Sequence, residues 1–327
     1  MKLPALQPRL RATLQLGASV AILAFLLSRL DWQRSLALLR SADPLLLAAV
    51  IAIQTADRIL MALKWHQLLC VLDRRLSRSY ALRTYYESTF VGFALPLGGL
   101  GPDIVRFLRL RNRGMDPHVT LASMVMERLN GVVATLALIG VGLAVLASLA
   151  PQPALREFAR LGALLAAVAF TLAAVLLLIP PSGGGLLRRL KSLLESGRFA
   201  KYVEAARAYA ARRATLALNL GLSIVEQTAP VFTLWVVSHA LHTPLPLIVC
   251  LAVTPVAIVI QRLPLTYAGL GLREGSAAAL LVALGYDYST ALLMFMTLFV
   301  LFFISLLPGA LMLASSEPLP PPRGTDA

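Results

Sequence analysis

The chain has 327 residues, 58% of them hydrophobic and 14% charged, with a mean hydropathy of +0.77 and a formal net charge of +14. A soluble domain carries about 25% charged residues and a disordered chain far less apolar surface, so both classes are excluded. The two cysteines, Cys70 and Cys250, exclude a disulfide scaffold, and basic residues set between apolar runs fit positive-inside topology beside anionic lipid rather than nucleic-acid binding.

What remains is an all-α polytopic integral membrane protein, because only helices or closed barrels satisfy their backbone within lipid. Runs free of Asp, Glu, Lys and Arg mark the spans. Residues 12–28 form the first, read as uncleaved because no small-x-small pattern follows Leu27. Residues 44–63 form the second, interrupted by Asp57 and Arg58, and a basic loop over 64–83 carries Lys64, Arg74, Arg75, Arg78 and Arg83. Residues 88–102 are apolar but broken by Pro96, Gly98, Gly99, Gly101 and Pro102. A helix from near Val119 continues to 155, and another spans 161–187 until Pro180, Pro181 and the glycines at 183–185 stop it. Residues 214–261 supply two spans, with His239, Thr243, Pro244 and Pro246 at the turn. Residues 263–286 are broken again by Pro264, Gly269, Gly271 and Gly275, and 288–316 give the last span.

The expectation is therefore seven to eight spanning helices plus two Gly/Pro-broken re-entrant segments, in one domain over 1–316. Seven spans place the tail outside; eight place it in the cytoplasm. Possible halves are 1–150 and 214–316, linked by the 161–180 span and an amphipathic segment at 183–213 whose Leu186, Leu187, Leu190, Leu193 and Leu194 recur at helical spacing between basic residues. The proline-rich 317–327 end reads as a disordered tail. Lys and Arg counts put the N-terminus, the 64–83 loop, the 103–113 segment and the 183–213 segment in the cytoplasm; the expected location is a bacterial inner membrane.

The two broken segments echo one another. Residues 95–103 read Leu-Pro-Leu-Gly-Gly-Leu-Gly-Pro-Asp, and residues 263–274 read Leu-Pro-Leu-Thr-Tyr-Ala-Gly-Leu-Gly-Leu-Arg-Glu. Paired Gly/Pro-interrupted segments in corresponding halves point to a transporter binding site, and the span count makes these halves parallel repeats. Pro96, Gly99, Gly101, Pro264, Gly269 and Gly271 are the expected hairpin backbone. Ionisable residues inside lipid face the interior and have partners. Asp103, Arg106, Glu127, Arg128, Glu226, Arg262, Arg273 and Glu274 are accordingly the candidate substrate-binding residues. Asp103 and Arg106 share a helix face, and a helix opened by the glycine run, with a guanidinium beside it, suits an anion such as phosphate. Glu226 stands alone in its run and needs a distant cation, for which Arg262 or Arg273 are available, or a raised pKa. Asp57 with Arg58 reads as a structural ion pair. His239 and His242 lack acidic or cysteine companions, so no metal site is expected; there is no P-loop, dinucleotide fingerprint or serine elbow, and no cofactor or catalytic residue is assigned.

The run Leu95 to Arg106, the Glu127–Arg128 pair and the run Leu263 to Gly275 resemble the lysylphosphatidylglycerol synthase transmembrane region family, also called flippase-like domain proteins, over roughly residues 10–313. Gly-Pro-Asp at 101–103 departs from the Gly-Gly-Asp common there. The resemblance implies movement of a lipid between leaflets. In bifunctional members a separate soluble domain performs aminoacyl transfer, and the 14 residues after Leu313 leave no room for one. The resemblance also implies cargo among glycolipids, hopanoids and polyprenyl-linked sugars. The main expectation is a transporter that binds and translocates an anionic or glycolipid partner. The alternative is a membrane-embedded transferase, or an accessory subunit for partner enzymes, acting on lipid-linked sugars.

Overall fold

The computed structural model describes residues 8–94, 101–178, 208, 209, 211–263 and 265–315. Pro96, Gly99, Pro264, most of the amphipathic 183–213 segment and the 317–327 tail lie outside them. The described residues are helical: α1 (Pro8–Ser28), α2 (Trp32–Ser41), α3 (Pro44–Leu72), α4 (Arg78–Ala94), α5 (Gly101–Asn112), α6 (Pro117–Leu149), α7 (Pro153–Leu178), α8 (Arg213–Ala240), α9 (Leu247–Gln261), a 3-10 turn at Tyr267–Gly269, α10 (Leu272–Ala283), α11 (Tyr288–Ser305) and α12 (Leu307–Ala314). Five are long and apolar enough to cross a bilayer, α11 with α12 counting as one; a sixth is added if α1 is taken with α2, which turns 89° away from it.

Local sequence sets the helix starts. Asp31, Asp43, Asp116 and Asp287 each accept a backbone N–H of the first turn, and Pro44 and Pro117 occupy first-turn positions where no donor is needed. The core lies where α1, α3, α8, α9, α10 and α11 meet, around Val50, Leu234, Val253, Ala278 and Leu292, all buried.

Hydrogen bonds between segments distant in sequence set several helix ends side by side. The Asp43 amide donates to Ala240 O at 2.9 Å, the Asp31 amide to Ser289 Oγ at 3.0 Å, and Tyr288 Oη to Leu26 O at 3.1 Å. One face of the molecule thus gathers the ends of α1 and α8 and the starts of α3 and α11. The other gathers the end of α3, the start of α4 and the end of α12: Arg83 Nη2 donates to Met312 O at 2.9 Å, and Tyr209 Oη to Leu68 O at 3.1 Å. The second face carries Arg74, Arg75, Arg78, Arg83, Arg109, Arg111 and Arg113, and we call it the basic face.

Two hairpins follow from these directions. Helices α4 and α5 enter from the basic face and return to it. Helices α9 and α10 enter from the opposite face and return there. At 1.5 Å per residue the 15 residues of α9 reach about 22 Å, short of the roughly 30 Å a hydrocarbon core requires. The stretch after the Pro246 turn, read as the second of the two spans in 214–261, is therefore one limb of a re-entrant hairpin. Its apolarity comes from burial against α6, since lipid and protein interior select the same residue types. Of the two placements left open for the end of the helical body, Ser315 fits the basic face, where its Oγ accepts from Arg83 Nη2 at 3.3 Å.

The halves are thus inverted, not parallel. α3, the α4–α5 hairpin and α6 correspond to α8, the α9–α10 hairpin and α11–α12 run the other way up. Matching close crossings support the correspondence. A β-carbon on Gly142 of α6 would lie 2.8 Å from Leu251 O of α9, and one on Gly309 of α12 would lie 2.5 Å from Tyr86 O of α4. Each pair joins the long helix of one half to the first hairpin limb of the other.

Candidate functional site

Among the described residues, the predicted site residues inside the bundle fall into two groups. The first surrounds the start of α5. Arg106, 3% exposed, donates through Nη1 to Glu127 Oε2 of α6 at 2.8 Å and through Nη2 to Asp103 one turn before it. Its guanidinium lies between two rings, 4.9 Å from the Trp65 centroid and 4.7 Å from that of Tyr85. Tyr85 Oη donates to Glu127 Oε1 at 3.2 Å, and Arg128 Nε to Asp103 Oδ2 at 2.9 Å. Each carboxylate thus meets two donors, which is what makes burial of this many charges tolerable. Asp103, Arg106, Glu127 and Arg128 are brought together, but they do not line the cavity at the tip of the α9–α10 hairpin.

The second group does. A cavity of about 350 Å³ lies among α3, α8, α9, α11 and the tip of the α9–α10 hairpin. Glu226, Arg262, Arg273 and Glu274 line it, with Asp57, Arg58 and Gln54 from α3. At the hairpin tip Gly271 has φ +82°, a left-handed turn open to glycine, and Ile22 of α1 stands 2.7 Å from where its β-carbon would be. That turn starts α10, and Glu274 closes it by accepting the Gly271 amide at 2.8 Å through Oε2 and Arg273 Nε at 2.9 Å through Oε1. Glu274 is thereby consumed in holding the tip and the Arg273 guanidinium, which faces the Phe299 ring at 6.0 Å. Asp57 and Arg58 pair at 2.7 Å, and Arg58 faces Phe302 at 5.7 Å.

Arg262 differs. It caps the end of α9, is exposed, and has no carboxylate within ion-pair distance among the described residues. It senses Arg128 as a like charge and Glu226 as an opposite one. Unpartnered polar atoms border the same cavity: Gln54 Oε1, Asp57 Oδ1 and Thr254 Oγ1 have no hydrogen-bond partner.

Glu226 is not alone, nor is its partner Arg262 or Arg273: it forms an ion pair with Lys64. Lys64 was read as part of a cytoplasmic loop, yet it sits inside α3, 4% exposed, because that helix continues through Leu72. Trp65, Leu68 and Leu69, all fully buried, were the signal that the span goes on past its first lysine. Beneath the pair, Asn219 Nδ2 donates to Lys64 O and to Gln67 Oε1, both at 3.0 Å, and Asn130 Nδ2 to Asn219 Oδ1 at 2.8 Å. This belt ties α3, α6 and α8 together. A further carboxylate missed from sequence, Glu87, is 1% exposed and held by Arg83 at 2.9 Å and Arg109 at 2.7 Å, which pins the base of the α4–α5 hairpin. Among the described residues no group of three His, Cys, Asp or Glu side chains is placed to hold a metal.

The arrangement can hold an anionic group beside Arg262 and Arg273 while hydroxyl donors meet Gln54, Asp57 and Thr254. No curated protein matches the chain. Residues 13–309 match the family model described as the lysylphosphatidylglycerol synthase TM region, and the chain therefore belongs to that family of membrane proteins acting in lipid metabolism or transport.

Proposed function

We propose that the protein binds and translocates, or helps translocate, a membrane lipid whose polar or anionic headgroup enters the cavity while its acyl chains stay in the bilayer. The observation that carries this reading is Arg262, a cation with no ion-pair partner among the described residues, at the tip of a re-entrant hairpin over a cavity whose other charges are paired. A free guanidinium suits a phosphate, and its neighbours supply acceptors for headgroup hydroxyls. Only the headgroup then needs desolvation. The reading places the chain in a bacterial inner membrane with its basic face, and both ends of the helical body, toward the cytoplasm, following the Lys and Arg excess there.

The test is reconstitution into phosphatidylcholine vesicles containing trace fluorescent phosphatidylglycerol, with leaflet redistribution read by a membrane-impermeant quencher. Wild-type protein is expected to accelerate redistribution, and Arg262→Ala to slow it about tenfold, as loss of one charge-assisted contact implies. Redistribution no faster than in protein-free vesicles, or unchanged in Arg262→Ala, would count against the reading.

A further inference from the structure

A second cavity shares the α3–α8 crevice with the first. It opens on the basic face, is lined by Lys64, His66, Cys70, Arg74, Arg78 and Arg212 among others, and has a volume of about 770 Å³. Along α3 the two cavities meet and overlap by one residue: Gln54, Asp57, Arg58 and Met61 border the first, and Leu60, Leu63, Lys64 and Gln67 the second. Along α8 the order is the same, with Thr233, Pro230 and Glu226 on the first and Leu222, Thr215 and Arg212 on the second. The boundary falls between Glu226 and Lys64, which form an ion pair across it.

We propose that the Lys64–Glu226 pair is a removable seal, and that separating it joins the two cavities into one polar groove from the basic face to the tip of the α9–α10 hairpin. Each partner has an alternative waiting on its own side. Lys64 belongs to a cavity that also carries Arg74, Arg78 and Arg212, where an arriving phosphate competes with Glu226 for it. Glu226 lies on the cavity bordered by Arg262, the cation left without a carboxylate. An exchange of partners keeps every charge compensated, whereas simple separation would leave two uncompensated charges in a low-dielectric interior. The Asn219–Gln67–Asn130 belt holds α3 and α8 together while the pair opens, so the helices need not part. The proposal deepens the lipid reading above, but its test needs no lipid movement.

Thr254 supplies the reporter position: it borders the first cavity, is 4% exposed, and its hydroxyl has no partner to lose. In a Cys70→Ser background, Thr254→Cys is exposed to a membrane-impermeant sulfonate-bearing thiosulfonate added only at the basic face. Native Cys70, labelled from that face, is the positive control for access to the second cavity. With Lys64 and Glu226 intact the introduced thiol is expected to label slowly. With Lys64→Met/Glu226→Gln it labels at least about tenfold faster, since a wet path replaces a desolvated pair. The charge-swapped Lys64→Glu/Glu226→Lys returns the rate toward that of the intact pair. If the double neutral variant does not fold, the isosteric Glu226→Gln alone is read in the same way. Equal labelling rates with and without the ion pair would overturn the proposal. Loss of lipid redistribution with the labelling pattern preserved would instead count against the transport reading alone.

Discussion

Arg106 offers the sharpest test of how the first charge group stabilises the fold. Replacing it with methionine keeps the length of the stem and removes the guanidinium. Glu127, left behind, retains only the Tyr85 hydroxyl at 3.2 Å, and Asp103 retains Arg128 at 2.9 Å. Removing one partner of a buried ion pair costs about 3–5 kcal/mol, and two lost ring contacts add roughly 0.5–1 kcal/mol each at partly desolvated sites. The surviving partners offset part of this, so the net cost is about 3 kcal/mol, or a fall of roughly 6–12 °C in the thermal midpoint by scaling from soluble domains. Glu127→Gln should cost less, because Arg106 keeps Asp103 and the amide oxygen still accepts. The double variant Arg106→Met/Glu127→Gln should lose less than the sum of the two, with a coupling of about 0.5–3 kcal/mol. Thermal unfolding of the four proteins in one detergent measures this. A midpoint for Arg106→Met within about 1 °C of wild type, or strict additivity in the cycle, would refute the account of Arg106 as the compensating charge of the cluster.

Three other outcomes are expected. Gly142→Ala and Gly309→Ala should both destabilise, since each β-carbon would meet a backbone oxygen inside 3.0 Å, whereas Gly131→Ala, with nothing within 4 Å, should be neutral or stabilising by up to about 1 kcal/mol; thermal midpoints in detergent separate the two classes. Glu274→Ala removes the acceptor of the Gly271 amide and the partner of Arg273, so redistribution of labelled phosphatidylglycerol should fall, and Glu274→Gln, which still accepts from the amide, should retain more of it. Outside the spans, the Thr290 amide and hydroxyl, at 2.9 and 2.8 Å, and Arg34 hold the Asp287 carboxyl below the usual aspartate range. Its stabilising contribution is complete above the unfolded value of about 3.9 and is lost as pH falls through the lower folded value. Stability measured from pH 6 down to pH 3 should therefore fall less steeply in Asp287→Asn than in wild type.

The class of the fold was legible because composition alone demands helices in lipid, and the broken segments were legible because proline and glycine interrupt apolar runs. The limits of α3 were not. Counting to the first lysine ended the span at Lys64, but a lysine with a carboxylate waiting on a neighbouring helix does not end a helix. The same blindness misassigned Glu226, whose partner had been sorted into a loop. The uncharged run 227–261 held enough residues for two spans, yet a hairpin limb buried by protein is as apolar as a helix facing lipid. That single miscount reversed the direction of everything after it, turning inverted halves into parallel ones. Of the candidate residues, Arg262, Arg273, Glu274 and Glu226 share a cavity, while Asp103, Arg106, Glu127 and Arg128 compensate one another elsewhere, a division that depends on which helices neighbour α6 and leaves no trace in the spacing along the chain.

The opposed hairpins carry a consequence for how such a chain chooses which way to insert. The two halves run in opposite directions, so the order of their helices does not by itself choose an orientation. Arginine does: the base of the α4–α5 hairpin is flanked by Arg74, Arg75, Arg78, Arg111 and Arg113, whereas the corresponding connections at 241–246 and 284–287 contain neither arginine nor lysine. Under the orientation proposed above, a handful of guanidinium groups beside one hairpin and absent from the connections of the other would let two oppositely directed halves settle one way up.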